Sequence, residues 1–172
     1  SRRARGSILA FTDADCVVSA DWLQTILNTF SSTAAGIVVG HRTVPPSGRA
    51  LQYAVEYEKE KARYVANSGV AEIIFGHTNN LAVRRELFEM VGLFPERIRG
   101  GDTVFVRRAC NRFGTGIVHF REDVLVCHQE IRSLRKYFQK CRIYGESNRL
   151  LADEVEFRPL STQERLEIMF RV

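Results

Sequence analysis

Apolar residues come in short runs along the chain, broken by glycine, proline or charge, and the runs switch between the periods of strand and helix. Ser7-Ile8-Leu9-Ala10, bounded by Gly6 and by the carboxylates beyond Phe11-Thr12, predicts a buried strand. Apolar positions 22, 23, 26, 27 and 30 then keep helical spacing, with Ser19 or Asp21 as N-cap and Trp22 in the core. A β-branched strand follows over residues 35–40, then a Pro45-Pro46-Ser47-Gly48 loop. Residues 50–67 read as a second helix whose outward, solvated face carries Glu56, Glu58, Lys59, Glu60 and Lys61. A short strand over 71–76 precedes a loop and a helix ending at Val91, with Gly92 as its left-handed stop.

Val104, Phe105, Arg108, Ala109 and Phe113 keep helical spacing up to Gly114, which places Asp102 at a helix start as a natural N-cap. Residues 115–120 and 123–127 read as two short strands, the second ending at His128, and 133–151 as a long basic helix. Ser161 and Glu164 have capping-box spacing. Leu166, Met169 and Phe170 beyond them make a weak apolar stripe, suited to packing or to peripheral membrane contact. The alternation of strands and helices is that of an α/β fold.

Composition narrows the class more than the function. At 172 residues, 45% hydrophobic and 26% charged, this is an ordinary globular chain with room for one domain and a sizeable core. A net charge of +5 and a pI near 9.3 favour anionic partners: a nucleotide diphosphate, an acidic lipid surface or nucleic acid. Cys16, Cys110, Cys127 and Cys141 are scattered without a Cys-x-x-Cys pair, which argues against a zinc site or disulfide framework and for a reducing, cytoplasmic setting. No apolar stretch is long enough to span a bilayer. The basic start at Arg2, Arg3 and Arg5 is no signal peptide, because Asp13 ends its apolar part too soon. Basic and aromatic residues do not interleave as in RNA-binding modules, so no nucleic acid is expected.

The stretch richest in chemistry is Phe11-Thr12-Asp13-Ala14-Asp15-Cys16. On a continuing strand Asp13 and Asp15 point the same way. Two close carboxylates repel unless a cation sits between them, and a hard divalent ion carrying phosphate oxygens is the usual remedy. A polar turn closing the strand is the plain alternative.

Together with Ala20-Asp21-Trp22-Leu23, this stretch resembles the Asp-x-Asp segment of family 2 glycosyltransferases. The resemblance continues in Gly76-His77-Thr78-Asn79-Asn80-Leu81-Ala82-Val83-Arg84-Arg85 and in Val91-Gly92-Leu93-Phe94. Gly100-Gly101-Asp102 resembles the family's second acidic motif, with Gly101 where Glu is common. Val126-Cys127-His128 and Gln139-Lys140-Cys141-Arg142-Ile143 follow in family order, the last similar to a Gln-x-x-Arg-Trp signature with Ile143 replacing Trp.

The resemblance implies a partial GT-A fold, a Rossmann-like mixed sheet flanked by helices with a basic C-terminal helix. Residues 1–172 would form one domain, the C-terminal part of a catalytic domain whose nucleotide-binding half is expected ahead of Asp13. It implies an inverting glycosyltransferase that moves a sugar from a nucleotide-diphosphate donor to a hydroxyl of a carbohydrate or lipid-linked acceptor. Asp15, Asp13 and His128 would hold Mg²⁺ or Mn²⁺, and with Gln139 and Arg142 would meet the diphosphate. Asp102 would be the general base, and Asn79, Asn80 and Gly101 would line the acceptor side. The expected location is the cytoplasm, including the inner face of the membrane. Blander readings stay open: Asp102 as a cap, His128 as a solvated strand end, and Gln139, Arg142, Arg135 and Lys136 as a solvated basic face. So does a different class of function, a non-catalytic basic fragment or binding module for an anionic partner.

Overall fold

A computed structural model describes residues 4–96, 99–149 and 154–172. Residues 1–3 of the basic start and the expected end of the basic helix at Leu151 lie outside them. The elements are β1 (Ile8–Thr12), β2 (Cys16–Val18), α1 (Trp22–Ser32), β3 (Ile37–Thr43), α2 (Arg49–Asn67), β4 (Asn80–Arg84), α3 (Arg85–Val91), α4 (Gly101–Phe113), β5 (Val118–His128), α5 (Leu134–Arg149) and α6 (Thr162–Met169). The strands form one mixed sheet in the order β1-β4-β3-β5-β2. β3 and β5 are parallel, while β4 runs against β1 and β3, and β2 runs against β5.

That topology decides where chemistry can gather. β1, β3 and β5 end along one edge of the sheet, at Thr12, Thr43 and His128. β4 and β2 begin there, since Thr12 pairs with Asn80, Thr43 with Cys127, and Cys16 with His128. Side chains alternate across the sheet. Ile37, Val39, Leu81 and Val83 pack against Leu87, Phe88, Phe105, Val106 and Ala109 of α3 and α4. Val38, Ala82, Val124 and Val126 meet Trp22, Ile26 and Phe30 of α1 on the other face. Leu51 and Val55 of α2 pack with Ile131 and with Leu134 and Tyr137 of α5.

Several expectations give way to tertiary packing. Trp22 is buried as expected, but Leu23 and Leu27 are exposed, because the sheet covers only the Trp22-Ile26-Phe30 stripe. The supposed solvated face of α2 is largely covered: Glu60 is buried, and the Glu58 carboxylate accepts a hydrogen bond from the Tyr137 hydroxyl at 3.0 Å. Residues 71–76 are no strand. A 3-10 turn at Ala71–Ile73 drops Ile73 and Ile74 into the core without joining the ladder. The two strands expected over 115–127 become a 3-10 turn at Thr115–Ile117 and the single long β5. Arg121 stands opposite Gly40 and Leu125 opposite His41, so residues 122–124 bulge out and carry the polar residues that read as a break. The capping box at Ser161 and Glu164 forms, but Ile168 is the residue of α6 that is buried, while Leu166, Met169 and Phe170 stay exposed. No helix among the described residues is long and apolar enough to cross a membrane.

Candidate active site

Beyond β1 the chain does not continue as a strand. Residues 13–16 form a turn closed by the Cys16 N–H donating to the Asp13 carbonyl at 3.1 Å, and β2 then returns beside β5. Strand alternation therefore does not set the directions of Asp13 and Asp15, and the two part company. Asp13 is exposed. Asp15 is brought to His128, with its Oδ2 at 3.6 Å from Nε2. Asp15, Cys16 and His128 are the group of potential metal ligands among the described residues, with one ligand atom of each within 4.8 Å of the others. Asp13 lies outside that group.

His128 is not a solvated strand end. It is buried at 3% exposure, and its Nδ1 has no hydrogen-bond partner among the described residues. Buried polar atoms are nearly always paired, so the orphan marks a place for a water or ligand, while the nitrogen nearest Asp15 is Nε2. Burial lowers the pKa of His128, with Arg42 and Lys140 adding to the effect and Asp15 opposing it. The ring is thus neutral at neutral pH, as a metal ligand must be. One carboxylate beside a neutral imidazole fits Mn²⁺ better than Mg²⁺, which prefers oxygen ligands throughout. The Cys16 thiol is a soft donor, and burial and the neighbouring Asp15 and Asp13 raise its pKa and keep it protonated.

Asp102 comes from the first turn of α4. The N-cap of α4 is Gly100, whose φ of 78° is a left-handed conformation natural to glycine, so Asp102 sits inside the first turn rather than capping it. Its Oδ2 accepts from the Thr78 N–H at 3.0 Å and its Oδ1 from the Thr103 N–H at 2.8 Å. Thr103 Oγ1 donates to the Gly76 carbonyl at 3.2 Å, which stitches the start of α4 to the loop entering β4. Burial raises the Asp102 pKa above its ordinary value, against the two N–H bonds that favour the carboxylate. Thr78 is two residues from Asn80, the partner of Thr12, so Asp102 and the Asp15 turn serve the same edge of the sheet.

Asn79 and Asn80 diverge. Asn79 is buried in the wall of a cleft shared with His41, Arg42, Glu58 and His77. Asn80 turns inward and is 2% exposed. Its Oδ1 accepts from Trp22 Nε1 at 2.9 Å, and its Nδ2 donates to the carbonyls of His41 and Val124, both at 2.8 Å. Both amide protons are thereby committed inside the protein, which removes Asn80 from the acceptor side and makes it the plug of the β5 bulge. Gly40 is needed beside it, because a Cβ there would collide with the Asn80 amide and the Val124 carbonyl. Gly101 opens α4 and is half-buried.

A family model described as glycosyl transferase family 2 matches residues 1–92. The chain belongs to glycosyl transferase family 2. It is 33% identical over 130 residues to Glycosyltransferase AglE of Haloferax volcanii, across 73% of this chain and 40% of AglE. The mannosyltransferase PcManGT from Pyrobaculum calidifontis, solved in complex with GDP-Man and Mn²⁺, matches with a TM-score of 0.58 and 19% identity, over 98% of this chain and 45% of that one. The likeness is one of fold: a mixed sheet flanked by helices, as in a GT-A glycosyltransferase. This family 2 chain thus spans less than half the length of either protein.

The basic helix contributes differently from what its sequence implies. Arg142 is 83% exposed and paired with Glu146 at 3.0 Å, and Gln139 is exposed, so neither is held toward Asp15. Lys136 and Lys140 both bind Glu130. Thr78 is the partner of Asp102 that sequence reasoning missed. A threonine in a polar loop carries no signal of its own, and only the acceptor it meets distinguishes it. His77 is half-buried against Phe75, with ring centroids 5.0 Å apart. Burial and the nearby Arg42 and Lys61 lower its pKa to about 3, so it is neutral at neutral pH.

Proposed function

We propose that the chain carries the metal-side and base-side groups of an inverting glycosyltransferase that uses a nucleotide-diphosphate sugar. The observation that supports this best is the Asp15–His128 pair at the end of β5, with Asp102 bonded to Thr78 in the loop that enters β4 at the same end of the sheet. Sugar transfer needs a cation on the leaving diphosphate and a base on the acceptor hydroxyl, fixed on opposite sides of the sugar. Asp15 and His128 would hold Mg²⁺ or Mn²⁺, which supplies charge neutralisation of the leaving group. Asp13, exposed on the same turn, adds negative charge at its rim.

Asp102 accepts the proton of the acceptor hydroxyl as that oxygen attacks. Its carboxylate is oriented in advance by Thr78 and Thr103, and its raised pKa makes it a stronger base than an exposed aspartate. Attack from the side of Asp102, away from the departing diphosphate, inverts the anomeric centre. The cleft beside Asn79 and His77 is the natural place for the acceptor. Family membership, together with the GDP-Man and Mn²⁺ bound by PcManGT, supports a nucleotide sugar and a divalent ion as the ligands.

The test is incubation of the protein with Mn²⁺ and a panel of nucleotide-diphosphate sugars, reading release of nucleoside diphosphate and the anomer of the product. Donor turnover with inverted product, lost in D102A and D15A, is the expected result. Wild-type turnover in either variant overturns the assignment. Salt-sensitive binding to acidic lipid or nucleic acid with no need for a divalent ion would favour the anion-binding module instead.

A further inference from the structure

Two residues beyond His128, the chain places a carboxylate between two ammonium groups. Glu130 Oε1 is 2.8 Å from Lys136 Nζ and Oε2 is 2.6 Å from Lys140 Nζ, so three charges share one position with one positive charge in excess. The cluster adjoins the Asp15–His128 pair directly, because the Gln129 N–H donates to the Asp15 carbonyl at 2.8 Å. The Lys140 charge acts on both Asp15 and His128. Lys136 and Lys140 are one helical turn apart on α5, which keeps both on the face that reaches Glu130, two residues past the end of β5. Arg142, on the same helix, is turned out to Glu146.

We propose that Lys140 is the protein's own cation for the donor diphosphate, parked on Glu130 while the site is empty and released to the phosphate oxygens when they arrive. This rests on the reading of Asp15 and His128 as the cation's holders. A nucleotide-diphosphate sugar carries two negative charges, which one divalent ion only just balances, and a third develops on the diphosphate as the sugar departs, so an adjoining ammonium is the natural complement. The exchange costs little. The pairs to Glu130 are partly exposed, with Lys140 at 24% and Glu130 at 36% side-chain exposure, and such pairs contribute little on their own. Lys136 stays on Glu130 and prevents a bare carboxylate from facing the incoming phosphate.

The test measures binding of methylenediphosphonate, two phosphoryl groups without sugar or base, by calorimetry in saturating Mn²⁺, with Mn²⁺ titrated alone in parallel. K140Q is expected to weaken diphosphonate binding by about tenfold or more while binding Mn²⁺ alone no more weakly than wild type. E130Q frees both lysines and is expected to strengthen diphosphonate binding several-fold. Thermal unfolding of both variants reports whether α5 stays docked. Binding in K140Q within twofold of wild type overturns the proposal. So does E130Q weakening it as K140Q does, since Glu130–Lys140 would then serve only to dock the helix. Failure of the parent reading looks different: the wild type itself binds no Mn²⁺, or binds it equally well in D15A.

Discussion

Replacing Asn80 by alanine should be among the most damaging single changes in the protein, although Asn80 contacts no proposed substrate. Its amide satisfies the Trp22 N–H and the carbonyls of His41 and Val124, and the Asn80 side chain is itself buried. Truncation leaves one donor and two acceptors unpaired, each costing about 1–3 kcal/mol, and leaves a small void. Partial relaxation of the β5 bulge offsets some of that, so a loss of about 3–5 kcal/mol is expected. For a chain of this length that lowers Tm by roughly 6–20 °C. Asn80→Asp should be at least as harmful at neutral pH, because a carboxylate would face two carbonyl oxygens. Part of its loss should return as the pH falls and the acid gains a proton to donate. Urea unfolding followed by Trp22 fluorescence measures both variants. A loss under about 1 kcal/mol in N80A, or an N80D no worse than N80A and indifferent to pH, would refute the role given to this side chain.

Other perturbations follow from the same contacts. D102A should cut turnover by about 10²–10⁴ while costing only about 1–2 kcal/mol of stability through the lost Thr78 and Thr103 bonds, and activity within tenfold of wild type would contradict the base assignment. Because the pKa of Asp102 is raised, kcat/KM should fall on the acid side at a pH above the ordinary aspartate value; a limb at or below that value would count against it. Glu58 tests the covered face of α2. Burial opposes its charge, but Lys61, Arg42 and the Tyr137 hydroxyl outweigh burial and lower its pKa from 4.5 to about 2. Its contribution, at most about 3 kcal/mol, is present above the unfolded value and lost as pH falls toward the folded one. E58Q should therefore be less stable than wild type at neutral pH and flatter between pH 5 and pH 2 (about that range) in acid unfolding, and an unchanged acid limb would contradict this.

How much of this was legible in the sequence depends on whether a signal was local. The strand before Asp13, the core place of Trp22 and the capping box at Ser161 all follow from spacing and residue type, and all formed. Asp15 and His128 were both named as candidates, but their meeting depends on β2 folding back beside β5, a pairing that spacing cannot show. Alternation groups Asp13 with Asp15 only along a strand, and a turn intervenes. Asp102 was placed at the right helix start, yet the cap went to Gly100, whose left-handed backbone begins α4 earlier. The direction of an amide is invisible in sequence, so Asn80 looked like a ligand contact and is a bulge plug. Glu58 and Glu60 read as solvated because α5 and β5, which cover them, come some sixty residues or more later in the chain. Arg142 resembles a diphosphate contact by motif, but on the folded α5 it pairs with Glu146, while the lysine two residues earlier pairs with Glu130.

The most direct measurement is pulsed electron paramagnetic resonance of Mn²⁺ bound to the protein. If Asp15 and His128 hold one ion, the spectrum shows nitrogen modulation from a coordinated imidazole. That modulation disappears in H128Q, and bound Mn²⁺ is lost in D15A. Mn²⁺ that binds without nitrogen coupling, or that survives both substitutions unchanged, would mean the two side chains meet at the sheet edge for some other reason.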